Sequence, residues 1–268
     1  MQYPESAVLA TFAEALEAPY GFERSVKFSD RQMLDDRFLM TVHKASLGAS
    51  SGHRLRKLCQ QLNAPTDTIE SILALLPEAD IVHLGFEAES EARLCKLYVE
   101  FASTVRATME RGPIKVPLLV HKALKWDVAK PQHHAITDYW LKPNMGVSRW
   151  LNELLADDDQ KDHELSSFIQ QVLLLAAERV PEEELMCLEV NEPGNPRQSF
   201  DLNLYDTEMV LGDIRHLLEQ LTEAFQIEPG KVARWLDNNA GQPLGHLSSG
   251  IARNGRPFAT VYFGIEGR

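Results

Sequence analysis

Five short segments of the chain carry a polar residue and, two positions later, an aromatic ring. In a β-strand, side chains alternate between the two faces, so the first and third residues of each segment point the same way. If the five strands share one sheet, one of its faces is both polar and aromatic, which suits a polar ligand. Thr and Tyr are also favoured in strands in general; the recurrence at one point of each repeating unit argues against chance. The segments are Thr41-Val42-His43, Lys96-Leu97-Tyr98, Thr137-Asp138-Tyr139, Asn203-Leu204-Tyr205 and Thr260-Val261-Tyr262.

Hydrophobic periodicity places these segments at the ends of repeated hairpins that alternate with helices. The predicted order is helix, ββ, αα, ββ, α, ββ, αα, ββ, αα, ββ. The predicted strands are 22–28, 37–44, 80–87, 93–101, 118–128, 134–141, 185–191, 199–205, 244–252 and 258–265. The predicted helices are 5–18, 51–62, 66–76, 103–111, 146–156, 162–179, one capped by Asp206 or Thr207, and one over 229–239.

Five antiparallel hairpins in series avoid open sheet edges by closing into a barrel. Ten strands enclose more space than side chains readily fill, because about eight is the packed limit. The amphipathic helices would cover the outer wall. The sequence therefore predicts an α+β fold, a ten-stranded antiparallel β-barrel inside a ring of helices, with residues 1–268 as a single domain and a ligand cavity within it.

Composition excludes several classes of function. The chain has 39 acidic and 27 basic residues, a net charge of −12, so its overall field repels nucleic acid and anionic lipid. No apolar run reaches the roughly 18 residues that a membrane-spanning helix needs. The first residues show no basic segment followed by an apolar one, the mark of a secretory signal. We therefore expect a cytoplasmic protein with no nucleic-acid or membrane partner.

The element order and several segments resemble the ABBA prenyltransferases, whose barrel is built from ten antiparallel strands inside a ring of helices. The first strand pair resembles that of cyanobactin-type, cyclic-peptide prenyltransferases. Two later segments are similar to the Lys-x-Tyr and Gln-x-Tyr strands of the indole prenyltransferases, and the last hairpin is similar to their closing hairpin. The matching residues are 22–28, Asp36-Arg37-Phe38-Leu39, Lys96-Leu97-Tyr98, Asn203-Leu204-Tyr205, and His246 through Gly250 with Pro257 and Tyr262.

The resemblance implies transfer of a dimethylallyl or geranyl group from its diphosphate to an aromatic or peptide side chain, in natural-product biosynthesis. The partners would be an isoprenyl diphosphate donor and an aromatic small molecule or peptide as acceptor. Glu23 is then the candidate proton acceptor, because a carboxylate on the inner face can take the acceptor's proton as the new bond forms. Asp127 and Glu189 are alternatives.

A leaving diphosphate needs cations and hydrogen-bond donors aimed at its oxygens. Arg37 and Lys96 are the first candidates, Lys27 and Lys125 the second, and Arg253 the third. The third hairpin departs from the family pattern, since Arg-x-Lys-x-Tyr is replaced by the segment 135–139, which lacks both cations. The preceding strand carries His121, Lys122 and Lys125, which are candidate replacements.

The tyrosines of the repeated segments have two candidate roles. Their hydroxyls can bond the diphosphate, and their ring faces can stabilise an allyl cation while water is excluded. The alternative is that buried tyrosines simply fill space with their hydroxyls paired. The candidates are Tyr98, Tyr139, Tyr205 and Tyr262, with Asn203 as an additional polar group.

The sequence suggests no protein-held metal. His133-His134 lies in a predicted turn without partners at metal-ligand spacing, and the chain lacks the clear paired Asp-Asp-x-x-Asp boxes of the all-helical isoprenoid synthases. Mg²⁺, if used, would bind mainly through the diphosphate. Because Arg37 and Lys96 are few cations for a diphosphate, a second hypothesis stays open. The protein would then be a non-catalytic barrel that binds a small polar aromatic ligand.

Overall fold

The chain forms a closed antiparallel β-barrel in a computed structural model that describes residues 3–89, 91–143, 146, 147, 149, 163–195 and 198–268. The first strand pairs with the second and third, each strand from the third onwards pairs with the next along the chain, and the last strand pairs with the first. This closure confirms the predicted fold class. The strands are β1 Gly21–Ser29, β2 Gln32–Leu34, β3 Arg37–His43, β4 Ile81–Glu89, β5 Ala92–Glu100, β6 Leu118–Asp127, β7 His134–Leu141, β8 Cys187–Asn191, β9 Gln198–Asn203, β10 Leu244–Ile251 and β11 Pro257–Gly267.

One short strand, β2, was not predicted. β1 pairs with β3 over Gly21–Arg24 and with β2 over Lys27–Ser29. β2 and β3 therefore follow one another along the same edge of β1 and share one position in the barrel wall. The barrel has ten positions, as the five-hairpin pattern predicted, although the sheet has 11 strands.

Helices cover the outside of the barrel because each has one apolar face. The helix His163–Ala177, for example, buries Phe168, Ile169 and Val172 in an apolar cluster with Phe200 and Val261, which lie on the outer face of the sheet. Complete burial of such a side chain contributes about 1.5–3 kcal/mol. The helices are α1 Pro4–Glu14, α2 Ser51–Gln61, α3 Thr66–Leu73, α4 Ala102–Glu110, α5 His163–Ala177, α6 Arg215–Ala224 and α7 Pro229–Asn239.

For two of the predicted helices the outcome differs from a simple match. Most of the helix predicted over 146–156 lies outside the described residues. The helix predicted to begin at Asp206 or Thr207 begins instead at Arg215, after 3-10 turns at Tyr205–Thr207 and Leu211–Ile214. The Asn203 side-chain oxygen accepts the Tyr205 N–H at 3.0 Å, a local turn that ends the strand early.

No helix in the described part of the chain is both long enough and apolar enough to cross a lipid bilayer.

Candidate functional site

The interior of the barrel holds a cavity of about 500 Å³. Residues from nine strands and from α4 line it, together with Tyr205 in the turn after β9. Because alternate residues of a strand face inward, the lining repeats every second position along β3, β5 and β9. The lining residues are Leu39, Thr41, His83, Tyr98, Glu100, Ala102, Val105, Arg106, Met109, Glu110, Val120, His121, Tyr139, Met186, Leu188, Asp201, Asn203, Tyr205, His246 and Tyr262.

A group of basic side chains lies on the inner face, two to four residues further along β3, β5 and β6 than the cavity lining. Arg37 Nη2 donates to Glu87 Oε1 at 2.5 Å, and Lys96 and Lys125 both form ion pairs with the same carboxylate. Lys96 and Lys125 are direct cross-strand neighbours on β5 and β6. Since Glu87 is only 3% exposed, this pairing takes place away from bulk water.

A second carboxylate completes this group, called here the basic cluster: Lys27, Arg37, Lys96, Lys125, Glu87 and Glu89. Glu89 pairs with Lys27 at 3.4 Å and with Lys125 at 3.9 Å. Burial, and then the neighbouring charge of Lys125, lower the pKa of Lys27 to about 8. Burial opposes ionisation of Glu87, but Arg37, Lys125 and Lys96 outweigh it and hold its pKa well below the usual value. Positive charge exceeds negative charge in the cluster.

The Arg37 side chain retains an unused donor. Its Nε donates to Ser25 Oγ at 3.4 Å and its Nη2 to Glu87, while its buried Nη1 has no hydrogen-bond partner in the described structure. A buried donor left unpaired costs free energy, and anion oxygens are strong acceptors for guanidinium. The basic cluster therefore has both the charge and a free donor for an anionic group.

Three of the tyrosines form an inner aromatic wall next to the basic cluster. The Tyr98 and Tyr139 ring centroids lie 5.8 Å apart, and Lys96 Nζ lies 6.0 Å from the Tyr98 centroid. Burial raises the pKa of the Tyr98 and Tyr262 hydroxyls, so both remain protonated donors at neutral pH. An apolar tail leading away from an anion in the cluster would lie against these rings.

Glu23, on β1, is buried at the edge of the same cavity. Its Oε1 accepts the Tyr205 hydroxyl at 2.9 Å, and its Oε2 lies 3.4 Å from His246 Nε2. The other nitrogen of His246 lies 2.8 Å from Asp201 Oδ1. The imidazole stacks on the Tyr262 ring with 3.7 Å between centroids. Glu23 is thereby fixed in orientation by two neighbours.

His246 carries a positive charge at neutral pH. Burial opposes that charge, but the carboxylates of Asp201 and Glu23 outweigh it and raise the pKa of His246 to about 10. The histidine is therefore a cation held between two carboxylates, with the protonated hydroxyls of Tyr205 and Tyr262 beside it.

We expect His246 to make the stability of the protein depend on pH. Its pKa is about 6.5 in an unfolded chain and about 10 in the folded one. The stabilisation is therefore fully present below pH about 6.5 and is lost as pH rises towards about 10. Urea unfolding of wild type and His246→Gln at a series of pH values measures it. The free-energy difference between the two should shrink by a few kcal/mol over that range; a constant difference would contradict the charged pairing.

Gly245 leaves room for the Glu23 carboxylate. A Cβ at this position would lie 1.8 Å from Glu23 Oε1 and 2.8 Å from Tyr205 Cε1. We expect Gly245→Ala to displace Glu23, break its bond to Tyr205 and destabilise the protein by about 1–3 kcal/mol. Gly241→Ala is the matched control, since nothing lies within 4 Å of a Cβ there. Equal unfolding midpoints for the two variants would contradict the close contact between position 245 and the Glu23 carboxylate.

Some candidates from the sequence lie elsewhere. Glu189 pairs across the sheet with Phe200, which packs in the outer apolar layer, so this carboxylate is wrong as a proton acceptor inside the barrel. Arg253 lies in the turn between β10 and β11, 41% exposed, and pairs with Glu192, apart from the basic cluster. Lys122 pairs with Asp138 at 2.5 Å and does not replace the missing cations.

The remaining candidates lie on the inner face. Asp127 is two residues beyond Lys125 on β6, and its carboxylate accepts the Ala129 N–H at 3.0 Å. Asn203 lines the cavity and caps the turn that begins at Tyr205. Tyr205 lies in that turn and not in a strand, yet its hydroxyl still reaches Glu23.

Sequence reasoning missed four charged residues of the site: Glu87, Glu89, Asp201 and His246. Each lies two positions along its strand from another residue that faces inward. Alternation along 81–89 and 198–203 could have placed the carboxylates on the inner face. Their partners could not be found in this way, because Arg37 and Glu87 are 50 residues apart in the chain.

Comparison with known proteins supports the fold. No protein-family model matches the sequence, and no curated relative matches it significantly. Several solved structures are similar over most of the chain. One is 6-dimethylallyltryptophan synthase from Micromonospora olivasterospora in complex with DMASPP and Trp, with a TM-score of 0.58, 13% identity, and coverage of 91% of this chain and 81% of that one.

Two further structures show the same likeness. AnaPT from Neosartorya fischeri has a TM-score of 0.52 at 12% identity, covering 92% of this chain and 79% of that one. The NotF prenyltransferase in complex with brevianamide F and DMSPP has a TM-score of 0.54 at 13% identity, covering 90% and 79%. The chain thus has the ABBA barrel fold of these prenyltransferases, and at 12–13% identity the likeness shows the fold alone.

Proposed function

We propose that the protein is a prenyltransferase that moves a dimethylallyl or geranyl group from its diphosphate to an aromatic or peptide acceptor. The observation that carries this proposal is the basic cluster, with the unpaired Nη1 of Arg37, at the inner end of a cavity walled by tyrosines. The shared fold with aromatic prenyltransferases supports it. Natural-product biosynthesis in the cytoplasm, by residues 1–268 acting as one domain, remains our sequence-based proposal.

The diphosphate is assigned to the basic cluster. As the allylic carbon–oxygen bond breaks, its electron pair goes to the diphosphate oxygen, and the cations of the cluster stabilise the added charge. Arg37 offers Nη1, and Lys96 and Lys125 can turn from Glu87 towards the phosphate oxygens, since ammonium groups donate in several directions. Such preorganised charges act strongly in a site shielded from water.

The allyl cation is assigned to the tyrosine wall. Tyr98 lies next to Lys96, and its ring and that of Tyr139 would face the carbon chain. Ring faces attract cations, and a wall of rings keeps out water that would otherwise quench the cation. Tyr262 stacks on His246, the neighbour of Glu23, and so lies at the acceptor end of the cavity.

Glu23 is assigned the proton of the acceptor. The acceptor's nucleophilic atom forms the new bond to the allylic carbon and loses a proton, which Glu23 takes. Tyr205 and His246 hold the carboxylate in place during this step. Electron-rich aromatic rings and guanidine groups are suitable acceptors, and a cyclic peptide of the cyanobactin type is the finer proposal.

Mg²⁺ enters the proposal only through the donor. In the basic cluster, the Glu87 carboxylate is occupied by three cations and Glu89 by Lys27 and Lys125. A magnesium ion would therefore be held by the diphosphate oxygens and water. When bound, it would neutralise part of the diphosphate charge. Turnover with and without EDTA measures this contribution.

The direct test is turnover with both prenyl donors. The protein is incubated with dimethylallyl or geranyl diphosphate and a panel of peptides and free amino acids containing tryptophan, tyrosine or arginine, and products are read by mass spectrometry. We expect one added prenyl group. Lys96→Ala should weaken donor binding and lower turnover about 10²- to 10³-fold, whereas Lys122→Ala, outside the cluster, should leave both unchanged.

A non-catalytic barrel that binds a small polar aromatic ligand is the second candidate. The pairing of Arg37, Lys96 and Lys125 with Glu87 favours it, because the cluster already satisfies much of its own charge. Saturable ligand binding without turnover on either donor would support this candidate and reject the transferase. Product formation would reject it.

A further inference from the structure

Three cavity-lining residues on neighbouring strands form a cluster that the proposed transfer reaction does not use. They are His83 on β4, Glu100 on β5 and His121 on β6. One ligand atom from each lies within 4.8 Å of the other two. His83 Nε2 lies 2.7 Å from Glu100 Oε2, and His121 Nδ1 lies 3.6 Å from the same oxygen. Glu100 and His121 are direct cross-strand neighbours, so the sheet itself holds them together.

We propose that His83, Glu100 and His121 bind a transition-metal ion of the zinc type on the wall of the cavity. Two imidazole nitrogens and one carboxylate oxygen are typical of zinc and related metals, while Mg²⁺ prefers oxygen ligands alone. Three protein ligands leave a position open, and here that position faces the cavity. A nitrogen or oxygen of a molecule in the cavity can coordinate there.

The outer contacts of the cluster suit this assignment. Thr41 Oγ1 lies 2.9 Å from His83 Nδ1, so the Nδ1 hydrogen can be donated to Thr41 and Nε2 is left to bind the metal. A hydrogen bond on the second ring nitrogen is the usual support of a metal-binding histidine. Thr41 would therefore act as a positioning residue.

An ordinary His83–Glu100 hydrogen bond explains only part of the cluster. The Nδ1 atom of His121 is buried and has no hydrogen-bond partner among the described residues. Buried polar atoms are normally satisfied, so this nitrogen is an exception. It points to a missing ligand, and a metal ion shared with Glu100 supplies one.

The fit requires a small movement. Ligand atoms 2.0–2.1 Å from a tetrahedral zinc lie roughly 3.4 Å apart. The His83–Glu100 distance of 2.7 Å must therefore open and the widest separation, within 4.8 Å, must close. Both changes are about 1 Å, a displacement that side-chain rotation at Glu100 and His121 can supply.

The experiment uses the full-length protein freed of metal with EDTA, and Co²⁺ and Zn²⁺ as probes. We expect one Co²⁺ per chain, with the visible absorption of a four- or five-coordinate ion, displaced by Zn²⁺. His121→Gln should abolish the Co²⁺ spectrum. Thr41→Val should weaken Co²⁺ binding about 10- to 100-fold but leave the spectrum of the bound ion in place. His134→Gln, at an exposed histidine on β7, is the matched control.

Two results would overturn the proposal: no stoichiometric binding, or a Co²⁺ spectrum that His121→Gln leaves intact. A thermal shift of the wild-type protein on adding Zn²⁺ gives a second readout, because an ion that binds only the folded state raises the midpoint. If His121→Gln fails to fold, His83→Gln takes its place. None of these readouts depends on prenyl transfer, so failure here leaves the proposed function standing.

Discussion

Glu23→Gln should lower prenyl-transfer turnover by about 10²- to 10⁴-fold, the usual contribution of a positioned general base. Binding of the prenyl donor should change little, because Glu23 contacts Tyr205 and His246 and is not part of the basic cluster. An interaction that acts only in the transition state appears in kcat and not in donor affinity. Single-turnover rates and the donor Kd, measured separately, check both statements.

Glu189→Gln is the matched control for this prediction. It changes the same side chain in the same way, but on the outer face of the sheet, where Phe200 is the cross-strand neighbour. Its turnover should match wild type. Equal turnover of Glu23→Gln and wild type, with the fold intact, would contradict the assignment of the proton to Glu23.

Glu87→Gln should destabilise the free protein and strengthen its binding of inorganic pyrophosphate. The substitution removes the carboxylate that Arg37, Lys96 and Lys125 share, and so leaves buried cations uncompensated. Breaking a buried pair in this way costs about 3–5 kcal/mol of folding stability. The same cations, released from Glu87, become available to an anion. Urea unfolding with and without pyrophosphate measures both effects.

The neighbouring carboxylate provides the comparison. Glu89 is 31% exposed and pairs at longer distances, so Glu89→Gln should cost clearly less stability than Glu87→Gln. Pyrophosphate should restore more stability to Glu87→Gln than it adds to wild type. If it adds the same to both, Glu87 does not compete with the anion and the diphosphate site lies elsewhere.

Much of the fold can be read from the sequence because its signals are local. Strand and helix periodicity are properties of a few consecutive residues, and they predicted the order of the hairpins and, for 134–141, even the bounds of β7. Period-two alternation likewise placed Lys96, Tyr98, Tyr139 and Tyr262 on one face. Tyr205 shows the limit of the rule, since a turn formed by Asn203 ends its strand two residues earlier.

The sequence by itself therefore determined which strand residues face inward, because the direction of a side chain depends only on the alternation along its own strand. Tertiary structure decided which of them meet. Strand register brings Lys96 opposite Lys125 and Glu100 opposite His121, and barrel closure brings Glu23 to His246. Register and closure depend on packing across the whole barrel. The pairing of charges in both clusters consequently appears only in the folded protein.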